Sequence, residues 1–192
     1  MKKIFLFLSL IALSVSANAE SARARDYYAG FRIANTAEWV DFDNFDDTLR
    51  VHPVGFGLVG GYRFNQNIKM DLEIDYMSAS DREDTFRLTT TSGLVNMYWS
   101  WLDTMVARSY IGAGMGASNL SLDAPGYGRG RNDLQFTYQL SMGVDFILND
   151  YFSVDIGIRW REMGFVRYKE SGDNYFADIY ALQFYAGMVY KW

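Results

Sequence analysis

Residues 68–76 alternate without a break. Ile68, Met70, Leu72, Ile74 and Tyr76 share one parity, and Lys69, Asp71, Glu73 and Asp75 share the other. That period of two belongs to a β-strand, whose successive side chains point to opposite faces; a helix would mix the two sets. The pattern recurs along the chain. Val54, Phe56, Leu58, Tyr62 and Phe64 oppose Gly55, Gly57, Gly61 and Arg63. Phe136 to Phe146 oppose Thr137, Gln139, Ser141, Gly143 and Asp145, and Phe152 to Trp160 oppose Ser153, Asp155, Gly157, Arg159 and Arg161. Tyr180, Leu182, Phe184, Met188, Tyr190 and Trp192 oppose Gln183, Gly187 and Lys191. Less polarised strands lie at 27–34 and 109–117. At about 86–99 both parities turn apolar, and Val95, Met97 and Trp99 are assigned to the apolar face. Eight strands of roughly 9–14 residues result, and no segment after residue 26 has a helical period.

Asn65–Asn67 and Asn149–Tyr151 read as tight turns, with a somewhat longer connection at 100–107. Between them lie long polar segments at 37–51, 79–85, 121–133 and 167–177. Short turns at one end and long loops at the other fit a membrane barrel. A soluble barrel would turn its apolar face inward, so the faces must be assigned separately. Three features place the apolar face in lipid. The polar face carries Gly30, Gly55, Gly57, Gly61, Gly112, Gly114, Gly116, Gly143, Gly157 and Gly187 beside a few long charged residues, as a crowded eight-stranded interior requires. Aromatics crowd the short-turn ends: Tyr62, Phe64, Trp99, Phe146, Tyr151, Phe152, Tyr190 and Trp192. The apolar face is also larger than a small interior could take. The fold expected is all-β: an eight-stranded antiparallel up-and-down transmembrane barrel.

Residues 1–19 read as a signal peptide preceding a barrel domain at 20–192. Lys2 and Lys3 form a basic start, Ile4–Val15 is apolar, and Ala17-Asn18-Ala19 is a small-x-small site with cleavage between Ala19 and Glu20. The apolar run is too short to span a bilayer as a helix, which takes about 20 residues. The absence of cysteine excludes a disulfide framework, a thiolate metal site and a cysteine nucleophile. A single histidine disfavours zinc. A net charge of −5 without a basic stripe argues against nucleic acid.

The polar parity would line the lumen with Arg32, Arg63, Arg159 and Arg161 against Asp71, Glu73, Asp75, Asp145 and Asp155. Four arginines against five acids is near balance, so a plug of charge pairs is expected ahead of an ion path. His52, before Pro53, is the only imidazole available for acyl-transfer chemistry, with Ser80 and Ser92 distant in sequence; a rim histidine is the expectation. Asp41–Asp47 is acidic but lacks the glycine and distal glutamate of a calcium loop, and is expected to extend a hairpin above the membrane. Gly126–Arg131 could contact lipopolysaccharide phosphates but reads first as a loop tip. Gly112–Gly116 lies inside a strand with no helix following and is not a nucleotide fingerprint. No catalytic residue, cofactor or metal is assigned.

Several segments together carry a resemblance: Tyr28-Ala29-Gly30, Leu94–Tyr98, Ser109–Gly116, Tyr138-Gln139 with Gly143, and an aromatic last residue. On them the chain resembles the OmpA-like/opacity-type outer-membrane β-barrel family of Gram-negative bacteria, over essentially all of 26–192. Ser109 stands where that family often has proline, and Trp192 where phenylalanine is commoner. The resemblance implies an exported outer-membrane protein surrounded by lipid and lipopolysaccharide. It also implies that the insertion machinery reads Phe184, Met188, Tyr190 and Trp192 as a C-terminal address. The expected function is non-enzymatic: a structural or surface role, with four loops free to meet an unidentified surface or host ligand. A narrow ion or solute porin and a lipid-modifying enzyme remain alternatives.

Overall fold

The computed structural model describes residues 27–42, 48–80, 87–104, 106–124, 128–129, 133–170 and 173–192. The signal-peptide assignment therefore lies outside the described residues. Ten strand segments follow one another: β1 (Tyr27–Phe42), β2 (Thr48–Val51), β3 (Val54–Arg63), β4 (Ile68–Ser80), β5 (Arg87–Asp103), β6 (Ala107–Ala124), β7 (Gly128–Arg129), β8 (Asp133–Ile147), β9 (Phe152–Glu170) and β10 (Asp173–Lys191). They build eight staves. β2 and β3 pair with β1 in one register, Glu38 opposite Val51 and Asn35 opposite Val54. Between them falls Pro53, which has no N–H to donate; its carbonyl still accepts from the Thr36 amide at 3.0 Å. β7 continues the line of β8 along β6 with a one-residue shift, since Ala124 meets Gly128 while Leu120 meets Asp133.

Every stave pairs antiparallel with its sequence neighbour, and β10 returns to β1 from Tyr28 opposite Lys191 to Phe42 opposite Ala177. The Trp192 amide completes the seam on the Tyr27 carbonyl at 3.1 Å. The sheet is a closed barrel, and closure removes the edges that an open sheet would expose.

Three side chains fold the short turns. Asn65 Oδ1 accepts from the amides of Asn67 and Ile68, both at 2.8 Å, and Asn149 Oδ1 does the same for Tyr151 and Phe152. Thr104 Oγ1 accepts from the Ala107 amide at 3.0 Å and donates to its carbonyl at 2.8 Å. These are Asx- and ST-type turns, in which a side chain mimics the backbone acceptor. The third turn is tighter than the 100–107 connection expected from sequence. β5 runs on to Asp103 through a bulge near Ser100 and Leu102, which absorbs the extra residue.

The staves are also longer than expected, reaching 19 residues in β9 and β10. Much of the polar sequence assigned to loops is paired strand: Asp41 meets Thr48, Asp123 meets Arg129, and Asp173 meets Glu170. Polar residues remain strand-compatible once their neighbours supply the ladder, so polarity here marks solvent and not the end of pairing. A bulge sets Met163 and Gly164 against Ile179, and Gly164 takes φ +81°, a conformation that glycine adopts without strain.

Candidate functional site in the barrel lumen

Side-chain burial alternates along every stave, and it is the polar parity that is buried. Phe56, Leu58, Leu72, Ile74, Val95, Met97, Trp99, Leu140 and Phe184 are exposed on the outside. All nine charged residues placed inward by the sequence pattern (Arg32, Arg63, Asp71, Glu73, Asp75, Asp145, Asp155, Arg159 and Arg161) are buried in the lumen. The uncertain strand resolves with Val95, Met97 and Trp99 outward and Leu94 and Tyr98 inward.

Arg32, Asp71, Glu73, Asp75, Asp155, Arg159 and Arg161 form one network that spans the lumen. The Arg32 guanidinium is its hub, donating to Glu73 at 2.8 Å, to Asp155 at 3.0 Å and to Asp71 at 3.4 Å. Glu73 is shared, for its other oxygen accepts from Arg159 at 2.6 Å. Arg161 donates to Asp75 at 2.6 Å and to Gln139 at 2.9 Å. Gln139 hands on to Asn96 at 2.6 Å, and Asn96 to Asp71 at 2.8 Å; with Asp75 3.8 Å from Arg159, this closes a loop of polar contacts across five staves. Arg159 also donates to Gln183, whose amide reaches Thr36 at 3.1 Å. Buried charge is tolerated in such a site because each ion keeps several partners.

Four tyrosines share this lumen. Tyr110 donates to Asp155 and lies 2.5 Å from the Tyr185 hydroxyl, while Tyr98 accepts from Arg32 at 3.2 Å. Lys69 is held over the rings of Tyr110, Tyr98 and Tyr28 at 4.6, 4.9 and 5.8 Å. Each ring occupies space left by a glycine on the next stave. A Cβ at Gly61 would meet Tyr28, at Gly112 Tyr98, at Gly143 Tyr110 and at Gly157 Tyr185. The glycines are therefore the counterpart of the tyrosines. The strand parity of Tyr98 with Asn96, and of Tyr110 with Gly112, was the signal that could have found them.

Towards the loop ends the lumen changes character. Met77, Leu88, Leu120, Met163 and Ile179 are inward and buried, each beyond the last polar inward residue of its stave. The outside changes in the opposite sense, with Asn35, Arg87, Thr91, Asn119 and Asp178 exposed there. The inside thus turns apolar towards the loop ends while the outside becomes mixed, for Asn35, Thr91 and Asn119 stand opposite exposed Val54, Tyr76 and Leu134. At the short-turn end, aromatic rings pack around the seam, Tyr27 with Tyr62 at 4.9 Å, Tyr62 with Phe64 at 5.0 Å, Phe152 with Tyr190 at 5.2 Å and Tyr190 with Trp192 at 5.9 Å. These rings form an interfacial girdle. Phe184, Met188, Tyr190 and Trp192 all lie on the exposed outer face of the last stave.

The other candidates separate. His52 is exposed beside Pro53 at the break between β2 and β3. Ser92 is buried in the lumen, where it accepts from Ser118 at 2.8 Å, and Ser118 in turn accepts from Thr137 at 2.6 Å. The Ser80 side chain, residues 43–47 of the acidic segment, and residues 126–127 and 130–131 of the glycine-arginine segment lie outside the described residues. Asp41 pairs with Thr48 at backbone level, which extends the first hairpin.

A family profile described as "Outer membrane protein beta-barrel domain" matches residues 5–191. The chain belongs to this family. It is an outer-membrane β-barrel protein. An uncharacterised protein of Brucella abortus (strain 2308) is 24% identical over 156 residues, covering 62% of this chain and 55% of its own length. The chain thus spans about half the length of the curated relatives it matches. Among solved structures, Neisserial surface protein A superposes with a TM-score of 0.63 at 14% identity, covering 86% of this chain and 97% of that one. OprG from Pseudomonas aeruginosa gives 0.59 at 11% identity, covering 88% and 96%. The attachment invasion locus protein of Yersinia pestis gives 0.53 at 14% identity, covering 85% and 99%. At these identities the likeness concerns the fold.

Proposed function

We propose that this outer-membrane barrel is a non-enzymatic protein with a closed lumen, serving a structural or surface role through the hairpins at its loop end. One observation carries the reading. The inward side chains from Asp155 and Glu73 through Arg161 and Gln183 to Met163 have no accessible surface. A water-filled channel would leave accessible area on the groups lining it, and an eight-stranded interior is only wide enough to be filled by side chains. The apolar inward residues at the loop end act as a stopper above the ionic plug. The separation of exposed His52 from inward Ser92 supports a role without acyl-transfer chemistry. The outer apolar face meets lipid and lipopolysaccharide, and what touches the outside world is the paired, polar end of the staves.

The test is single-channel recording of the refolded protein in planar bilayers. The expected result is no steady open-channel current between pH 6 and 8. Reproducible conductance steps from the wild-type chain would replace this reading with the narrow-porin alternative.

A further inference from the structure

The outer face of a closed barrel is convex, so a large depression on it needs a local cause. One crosses β5, β6, β8, β9 and β10, with a volume of about 960 Å³ and walls that include Met97, Trp99, Leu140, Trp160 and Leu182. Ala113 is the shortest outward side chain in it. In register Ala113 stands between Met97 on β5 and Leu140 on β8, while Ile111 and Met115 flank it along β6. All four neighbours are long and exposed, and Ala113 stops at its Cβ. The same row continues sideways, Leu140 opposite Trp160 and Trp160 opposite Leu182.

One outward position nearer the loop end, this face carries a charge. Tyr138 and Glu162 follow Leu140 and Trp160 on β8 and β9 and stand opposite each other in register. The Tyr138 hydroxyl donates to Glu162 Oε2. Its ring meets Trp160 edge-on at 5.7 Å and Phe136 at 6.4 Å. Glu162 is half-buried, and among the described residues no lysine or arginine is paired with it. Phe136 and Leu134 are exposed farther along β8, so apolar surface continues past the carboxylate. A carboxylate beside lipid is costly unless it is paired, and one phenol supplies a single donor.

We propose that the depression and the Tyr138–Glu162 pair together bind a lipid whose head group carries an ammonium, with the chain over Ala113 and the ammonium against Glu162. Position selects the chain, because the depression opens on the face that meets lipid. Charge selects the head. An ammonium meets the carboxylate as a charged pair and lies beside the Tyr138 and Trp160 rings, whose faces attract cations. A neutral or anionic head leaves the carboxylate unmatched. The volume falls within the range of small-molecule sites, about 300–1,000 Å³. The site is on the outside of the wall, so it stands whether or not the lumen is closed.

The experiment uses the full chain refolded in a maltoside detergent. It reads quenching of tryptophan fluorescence by a brominated alkyltrimethylammonium, beside a brominated alkyl maltoside of equal chain length. The expected result is a saturable component whose midpoint is about tenfold lower for the ammonium probe, the worth of one bond between charged groups. Glu162→Gln should remove that advantage and leave the neutral probe unchanged. Asp150→Asn, which removes an exposed acid at the short-turn end, should alter neither. Ala113→Phe fills the depression and should abolish the saturable component. Equal midpoints for the two probes would overturn the proposal, as would equal effects of Glu162→Gln and Asp150→Asn, or an unchanged midpoint in Ala113→Phe. A dimer, seen by light scattering in the same detergent and lost in Ala113→Phe, would give the depression to a second copy and overturn it as well.

Discussion

Replacing Glu73 with glutamine removes one charge from the centre of the lumen and almost no volume. Glu73 has no accessible surface, and its two oxygens serve two different arginines, Arg32 at 2.8 Å and Arg159 at 2.6 Å. Glutamine keeps one acceptor oxygen and turns an NH2 group toward the other guanidinium, so one contact becomes a clash of donors. Arg32 retains Asp155 and Asp71. Arg159 retains only Asp75 among the acids it faces, at 3.8 Å. The loss therefore falls mainly on Arg159. Breaking a buried pair by removing one partner costs about 3–5 kcal/mol, or roughly two to nearly four orders of magnitude in the folding equilibrium. The assay is reversible urea unfolding in phosphatidylcholine vesicles, followed by tryptophan fluorescence. A double-mutant cycle with Arg159→Met makes the attribution: the double variant should recover part of the loss, because it no longer buries an uncompensated guanidinium. A cost below about 1 kcal/mol for Glu73→Gln would refute the plug, since that is the size of a solvated surface pair. A strictly additive cycle would refute the Glu73–Arg159 assignment.

Two adjacent glycines should answer very differently to alanine. Gly60 has open space around its missing Cβ and Gly61 has the Tyr28 ring and the Met70 carbonyl, so Gly61→Ala should cost about 1–3 kcal/mol in the same unfolding assay while Gly60→Ala stays near neutral. Deleting Trp192 removes a girdle ring and the amide that bonds to Tyr27. If the last stave carries an assembly address, outer-membrane abundance in cells should fall several-fold while refolding yield of purified chain in detergent falls only modestly. Wild-type abundance, or an equal failure of refolding, would remove the targeting role.

The alternation at 68–76 was sufficient to assign faces, because a strand has only two and one of them carried every charge. Parity put Leu72 and Glu73 on opposite faces, and the glycine-rich polar parity with the aromatic short-turn ends put Leu72 outside. The asparagines at 65 and 149 were equally legible as turns, because an Asx turn is closed by atoms within four residues of one another. Glycines could be placed inward from the same parity, but not matched to Tyr28, Tyr98, Tyr110 and Tyr185, since the partner of each lies on another stave. Polar segments looked like loops, yet β9 and β10 carry their ladder through 167–170 and 173–177. A strand's length is decided by the partner that supplies its hydrogen bonds, and that partner is not visible in its own composition.

The sequence by itself thus determined the barrel, its lipid face and the inward placement of nine charged residues. Only the tertiary structure decided which inward charges meet. Arg32 reaches Asp155, 123 residues away, and Arg161 reaches Asp75, 86 residues away. Those contacts cross the lumen between staves that share no ladder, so no register rule relates them. Closure of the sheet brings them within bonding distance.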